Sequence, residues 1–512
     1  MALIFPLFNV QGSLNKYKTQ RDRKGCIMTY TVEKANRFIR ENKHQLRSDF
    51  RLHYHFMSEY GWMNDPNGFI HYNGTYHLFY QYYPYEAKWG PMHWGHAVSG
   101  DLIRWEHLPV ALAPDEAYDQ GGCFSGSAIE HEGRLYLMYT GHVETGPDKD
   151  RDYRQEQAIA VSEDGVTFVK WKDNPVIAAG AIPQGVSRQD FRDPKVFKRG
   201  DAYYAVLGSN DGAGHGLILL YRSADLVHWE YVNVIAKSDG TLGDNWECPD
   251  VFTLGSKDVL MMSPQRVPAQ GDDYCNLHST TYMVGHLDTD DGRFHYDAYY
   301  PIDYGFDFYA PQTTIDAQGR RVMIAWMDMW ESLMPTQQGH HWAGAMTVPR
   351  EVLTDGDRLV FKPVDEIEAY RQAPYELSDV ILKGERVLET QGDRYELKVV
   401  IEAKGASAFG IKLRTSGREE TVLSYHAEER QFRFNRDRSG IGPKGERKTS
   451  IELEDGKLSL RIFVDVSSVE VFLGKGHKVM TGRIYPNEQA RGIALFSEGE
   501  CRVVSLTKWD IG

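Results

Sequence analysis

A strand led by a turn glycine recurs five times between residues 74 and 325, and no other feature restricts the fold so tightly. The copies are Gly74–Tyr80, Gly133–Tyr139, Gly200–Val206, Gly255–Met261 and Gly319–Ala325, with the glycines 59, 67, 55 and 64 residues apart. A second marker runs out of phase with the first. Ser99–Trp105, Ser162–Phe168 and Ser223–Trp229 each place a polar Ser-x-Asp turn between two strand-like runs. A unit of about 60 residues has room for four short strands and their turns, the content of one propeller blade. Five such units predict five blades around an axis.

In a propeller the innermost strands line the central channel, and the residues at their starts crowd its mouth. Ahead of the turn glycines these starts are Asn64-Asp65-Pro66, Phe124-Ser125-Gly126, Arg192-Asp193-Pro194, Glu247-Cys248-Pro249 and Tyr309-Ala310-Pro311. The spacing puts Asp65, Asp193 and Glu247 at one phase of the repeat, so a ring would bring three carboxylates to one spot. Paired carboxylates are what cleavage of a glycosidic bond requires. Singly, Asp65 reads as an Asx turn entering a hairpin, Arg192-Asp193 as a surface ion pair and Glu247 as a solvated loop acid. Their joint recurrence favours a site.

The remaining organisation follows from composition and pattern. With 512 residues the chain exceeds one ordinary core, which implies two domains. Residues 1–48 form an N-terminal extension with a short helix over 33–46, and residues 49–361 the propeller. Residues 362–374 are a linker with a short helical stretch. From residue 375 to 512, alternating runs such as Tyr395–Ile401, Ala408–Leu413 and Leu460–Phe472 read as a β-sandwich. The fold class is therefore all-β. A net charge of −14 argues against nucleic acid or an anionic membrane as partner. Five scattered cysteines (Cys26, Cys123, Cys248, Cys275, Cys501) lack zinc spacing and fit a reducing, cytoplasmic setting. The apolar start Met1–Val10 has neither a basic n-region nor a small-x-small cleavage site, so a signal peptide is not expected. Residues 1–27 read as a flexible extension or as sequence upstream of the true start. His93 and His96 lack a third ligand, Gly122–Gly126 is not a nucleophile elbow, and Gly442–Ser450 lacks a phosphate-loop ending.

The motifs Trp62–Gly68, Phe79–Tyr82, Trp94–Ser99, Phe124–Ala128, Phe191–Pro194, Trp246–Asp250, Phe308–Thr313 and Val464–Phe472 resemble those of the invertase-like β-fructofuranosidases, over roughly residues 45–510. The resemblance implies a five-bladed propeller followed by a β-sandwich. It also implies a retaining hydrolase of sucrose, sucrose 6-phosphate or short fructooligosaccharides, with no metal or organic cofactor. By the same likeness Asp65 would be the nucleophile, Glu247 the acid and base, and Asp193 the transition-state stabiliser, with the two reacting carboxyls about 5–5.5 Å apart. Asn64, Gln81, Trp89, Phe124, Ser125, Arg192 and Trp326 would line the fructose pocket, although Trp89 and Trp326 also suit core packing. Burial and neighbouring negative charge should raise the proton affinity of Glu247. Two rival readings are a fructosyltransferase with the same machinery and a carbohydrate-binding protein without catalysis. The partner expected is a small-molecule sugar, and the assembly a monomer or homodimer.

Overall fold

A computed structural model describes residues 30–512, and the expectations for residues 1–27 and Cys26 lie outside them. Five antiparallel sheets follow one another through residues 61–363. Their innermost strands are Gly61–Tyr72, Gly122–His131, Phe191–Arg199, Asn245–Leu254 and Tyr309–Ile315, and each packs on the next so that the ring closes. These sheets are blades 1 to 5. A short strand between the second and third strands of blade 5, Trp342–Ala343, pairs in parallel with Gly61–Trp62 and locks the last blade to the first.

The repeat read from sequence has a backbone cause. Gly74, Gly133, Gly200, Gly255 and Gly319 all adopt a left-handed φ, between +61° and +79°, where a side chain is strained and glycine is not. The Ser-x-Asp turns are likewise one device used three times. Asp101, Asp164 and Asp225 each accept two backbone N–H bonds through Oδ1, from Ile103 and Arg104, Val166 and Thr167, and Val227 and His228, at 2.7 to 3.0 Å.

Below the mouth, side chains fill the channel. Gln312 of blade 5 accepts from the Phe69 N–H of blade 1 and donates to the Gly126 carbonyl of blade 2. Lys195 of blade 3 reaches Asp250 of blade 4 at 3.1 Å and the Thr313 carbonyl of blade 5. Contacts from all five blades thus meet across the axis below the strand starts.

Helix α1 (Val32–Asn42) is capped by Thr31, whose hydroxyl accepts from the Lys34 N–H, and it buries Ala35 and Ile39. It lies outside blade 1, where Asn36 accepts from the Val110 N–H. A 3₁₀ turn, Asp365–Tyr370, leads to ten C-terminal strands. The last of these, Gly492–Asp510, pairs first with Ala408–Thr415 and then with Tyr395–Glu402, so one path of strands curls into two layers. Leu397, Val399, Phe409, Ile411, Phe432 and Val471 are among the side chains packed between them. Among the described residues no helix is long and apolar enough to cross a membrane.

Candidate active site

Every innermost strand breaks its ladder at the mouth. The register shifts fall between Met63 and Pro66, Phe124 and Gly126, Arg192 and Lys195, Glu247 and Asp250, and Tyr309 and Gln312. Such bulges re-aim side chains, and here all five re-aim them toward the axis. In blades 3, 4 and 5 the bulge follows one pattern, x-x-Pro, with Asp193, Cys248 and Ala310 at φ +61°, +47° and +50°. A left-handed φ in a non-glycine residue is costly and concentrates at functional sites.

This pattern corrects the phase inferred from sequence. Arg192, Glu247 and Tyr309 share one strand position, and Asp193, Cys248 and Ala310 the next. Glu247 thus precedes the Asp193 position by one residue. The offset sorts the cluster into two connected layers. In one, the Asp65 and Asp193 carboxylates flank the Cys248 thiol, whose Sγ is 3.5 Å from Asp65 Oδ2 and 3.6 Å from Asp193 Oδ2. The Cys248 N–H also donates to Asp193 Oδ2 at 3.0 Å. In the other, Arg192 donates from Nε and Nη2 to Glu247 Oε1 at 3.0 and 2.8 Å, and the Tyr309 hydroxyl donates to Oε2 at 2.5 Å. The layers are joined through the chain, Arg192 to Asp193 and Glu247 to Cys248, and by charge, since Glu247 and Asp65 both act on Asp193.

The other expected residues fall as follows. Ser125 donates to Asp65 Oδ2 at 2.7 Å, and Asn64 donates to Oδ1 at 3.1 Å while its own oxygen accepts from the Trp62 indole. Asp65 is thus clamped on both oxygens. Gln81 is buried and donates to the Cys123 carbonyl, tying blade 1 to blade 2. Trp89 and Phe124 are half-buried and meet edge to face, and Phe124 stacks flat on His142 with centroids 4.4 Å apart. Trp326 departs from expectation. It is 0% exposed, packed behind Trp62 and Trp330, and offers no face to a ligand. Trp330 is the half-buried member of that cluster and lies 29° from parallel with Trp62. Sequence reading missed Trp330, four residues on in a stretch without strand pattern. It also missed Tyr309, which the repeat could have revealed, since it matches the position of Glu247.

Electrostatics reverse one expectation. Burial favours the neutral form of Glu247, but the Arg192 guanidinium and the Tyr309 hydroxyl outweigh it and hold its carboxyl below the usual range. Asp193 takes the opposite course. Burial and the charges of Glu247 and Asp65 push it up to about 7 despite Arg192. Asp65 is raised by burial, although Ser125 and Asn64 oppose the shift. Burial and the adjoining acids push the Cys248 thiol well up, so it remains an S–H donor. At neutral pH Asp193 is therefore about half protonated in the free site, while Glu247 is ionised.

An unfolded Asp titrates near 3.9, so between pH 4 and 7 the native state holds a proton on Asp193 that the unfolded state has lost. Stability from this group is full below about pH 4 and declines as pH rises to about 7. Asp193→Asn should therefore raise the unfolding temperature at pH 8 relative to the wild type, with the gain vanishing at pH 4 in thermal melts at both values.

The chain matches two family profiles, described as the N-terminal domain of glycosyl hydrolases family 32 over residues 55–363 and the C-terminal domain of that family over residues 366–510. It is 40% identical over 491 residues to the sucrose-6-phosphate hydrolase of Escherichia coli, spanning 92% of this chain and 97% of that relative. Among solved structures, the GH32 β-fructofuranosidase of Bombyx mori superposes with a TM-score of 0.83 at 36% identity, covering 94% of this chain and 98% of its own. The sucrose-6-phosphate hydrolase of Lactobacillus gasseri gives 0.84 at 28% identity, covering 94% and 99%. A closed five-bladed ring, a curled β-sandwich and acids from three blades meeting at the mouth accord with these matches, and the chain belongs to the glycosyl hydrolases of family 32.

Proposed function

We propose that the protein is a retaining β-fructofuranosidase that cleaves the fructosyl linkage of sucrose-type sugars in two displacements. The observation that carries this reading is the single network joining Asp65, Asp193 and Glu247 at the end of the axis. Asp65, held on both oxygens, attacks the anomeric carbon of the fructosyl unit. The glycosidic C–O bond breaks, its electron pair stays on the leaving oxygen, and Glu247 supplies the proton. Glu247, now a carboxylate, then takes a proton from water as that water attacks the same carbon, freeing fructose and Asp65.

Asp193 faces the carbon where positive charge develops, and Arg192 orients Glu247. Glu247 must be protonated for the first step, whereas Arg192 and Tyr309 favour its anion in the free site. A bound sugar removes water from Glu247 and favours its neutral form, so Glu247 takes up its proton as substrate binds. Its likeness to a β-fructofuranosidase and to sucrose-6-phosphate hydrolases supports this substrate class. The four described cysteines are all unpaired, which supports a cytoplasmic setting.

Proton NMR of sucrose hydrolysis tests the route. Fructose should appear first as the β-furanose and only then equilibrate, and initial release of the α-anomer would sink the double displacement. Glu247→Gln should lower kcat by about 10²–10⁴-fold and flatten its dependence on pH. A variant with unaltered turnover would remove Glu247 from the reaction.

A further inference from the structure

The region outward of Glu247, where a leaving group must lie once its oxygen has been protonated, is lined by further acids. The inner strand of blade 4 continues outward from Glu247 through Trp246 and Asn245 to Asp244, roughly 10 Å along the ladder. Asp244 remains hydrogen-bonded to the neighbouring strand through the Gln265 carbonyl. Beside it stands Arg266, whose Nε donates to Asp244 Oδ2 at 2.6 Å. From blade 3, Asp190 accepts from Arg192 at 2.5 Å, from Tyr153 at 3.0 Å and from Asn210, which also bonds Asn245. From blade 5, Glu331 accepts from the Leu277 N–H at 3.0 Å, and the Leu277 carbonyl accepts from the Arg266 N–H.

Two guanidinium groups beside Glu247, with that of Arg447 near Glu331, therefore meet four carboxylates (Asp190, Asp244, Glu247 and Glu331). Each guanidinium is already engaged, Arg192 by Asp190 and Glu247 and Arg266 by Asp244. His278, against Tyr309 with centroids 5.9 Å apart, adds no cation, since burial lowers its proton affinity. The local field is negative before Asp65 and Asp193 are counted.

Resting on the β-fructofuranosidase reading, we propose that the leaving-group side of this site selects an uncharged sugar and discriminates against a phosphorylated one, with Asp190, Asp244 and Glu331 as specificity-determining residues. A hexose presents hydroxyls that the carboxylates accept from and the Arg266 guanidinium donates to. A leaving glucosyl unit bearing a 6-phosphate brings two negative charges into the same space, and like charges in a partly desolvated cleft repel strongly. Sucrose is therefore the better substrate and sucrose 6-phosphate the poorer one.

The test is kcat/KM of the full-length protein for sucrose and for sucrose 6-phosphate, at low and at high ionic strength. Sucrose should be favoured by about tenfold or more at low salt. The preference should shrink at high salt, because exposed charges are screened, and shrink again in the double variant Asp244→Asn, Glu331→Gln. Equal or better turnover of the phosphorylated sugar at low salt overturns the proposal. So does a preference that neither salt nor charge removal changes, which would make the exclusion steric. Cleavage of neither sugar would instead overturn the β-fructofuranosidase reading, and this inference with it.

Discussion

Asp65→Asn should lower kcat for sucrose by about 10⁴-fold or more while the protein folds normally, because removing one member of a covalent catalytic unit costs on that order. The substitution keeps the shape of the side chain, and its oxygen can still accept from Ser125, which now donates to Asp65 at 2.7 Å. The nucleophilic carboxylate is lost together with the bond from Asn64, whose Nδ2 would face the new amide nitrogen, and an amide does not attack an anomeric carbon at a useful rate. Removing this charge also takes away one of the influences that raises Asp193, so the Asp193 carboxyl should titrate lower in the variant. Steady-state assays with sucrose, together with a thermal melt, check both halves. Activity above one-hundredth of the wild type in a folded variant would mean that another group forms the bond to the sugar.

The propeller was legible because each blade spends the same local device on the same job. Five glycines had to take a left-handed φ at the same hairpin, and three Asx turns had to connect the outer strands, so spacing alone disclosed the repeat. The acids were legible for a related reason: they occupy strand starts, where the repeat converges. What the sequence could not disclose is how the bulges rotate them. One residue of offset places Glu247 with Arg192 and Tyr309 instead of with Asp193, and that pairing lowers its proton affinity where bare burial would raise it. Trp326 and Trp330 show the same limit. Both are large aromatics near the mouth, and only packing reveals that the first is covered and the second half-open. In the sandwich, alternation exposed the strands but not their order. That Gly492–Asp510 serves both layers depends on pairings with Ala408–Thr415 and Tyr395–Glu402, which local periodicity does not encode.

Arg350→Met should destabilise the protein by about 3–5 kcal/mol, the cost of stranding buried carboxylates. Arg350 is 0% exposed, in blade 5, with Nη2 2.6 Å from Glu470 of the sandwich and Nη1 3.1 Å from Asp303. Glu470 also holds His55 Nε2 at 3.0 Å, and His55 Nδ1 is 2.8 Å from Asp465. The two domains are thus riveted by charges that have no water to fall back on. Burial opposes a charged His55, but hydrogen bonds to both carboxylates outweigh it and raise its proton affinity. Its contribution is then full below about pH 6.5, the unfolded value, and is lost as pH rises through the higher folded value. Calorimetry should show the Arg350→Met transition moving down and separating into propeller and sandwich steps. Adding Glu470→Gln should recover part of the loss, because it removes the stranded charge while its amide oxygen still accepts from His55 and from the Val348 N–H. If the double variant were no more stable than the single one, the damage would come from lost packing against Phe308 and Phe472, over which the guanidinium lies at 4.7 and 5.3 Å, and not from an unpaired charge.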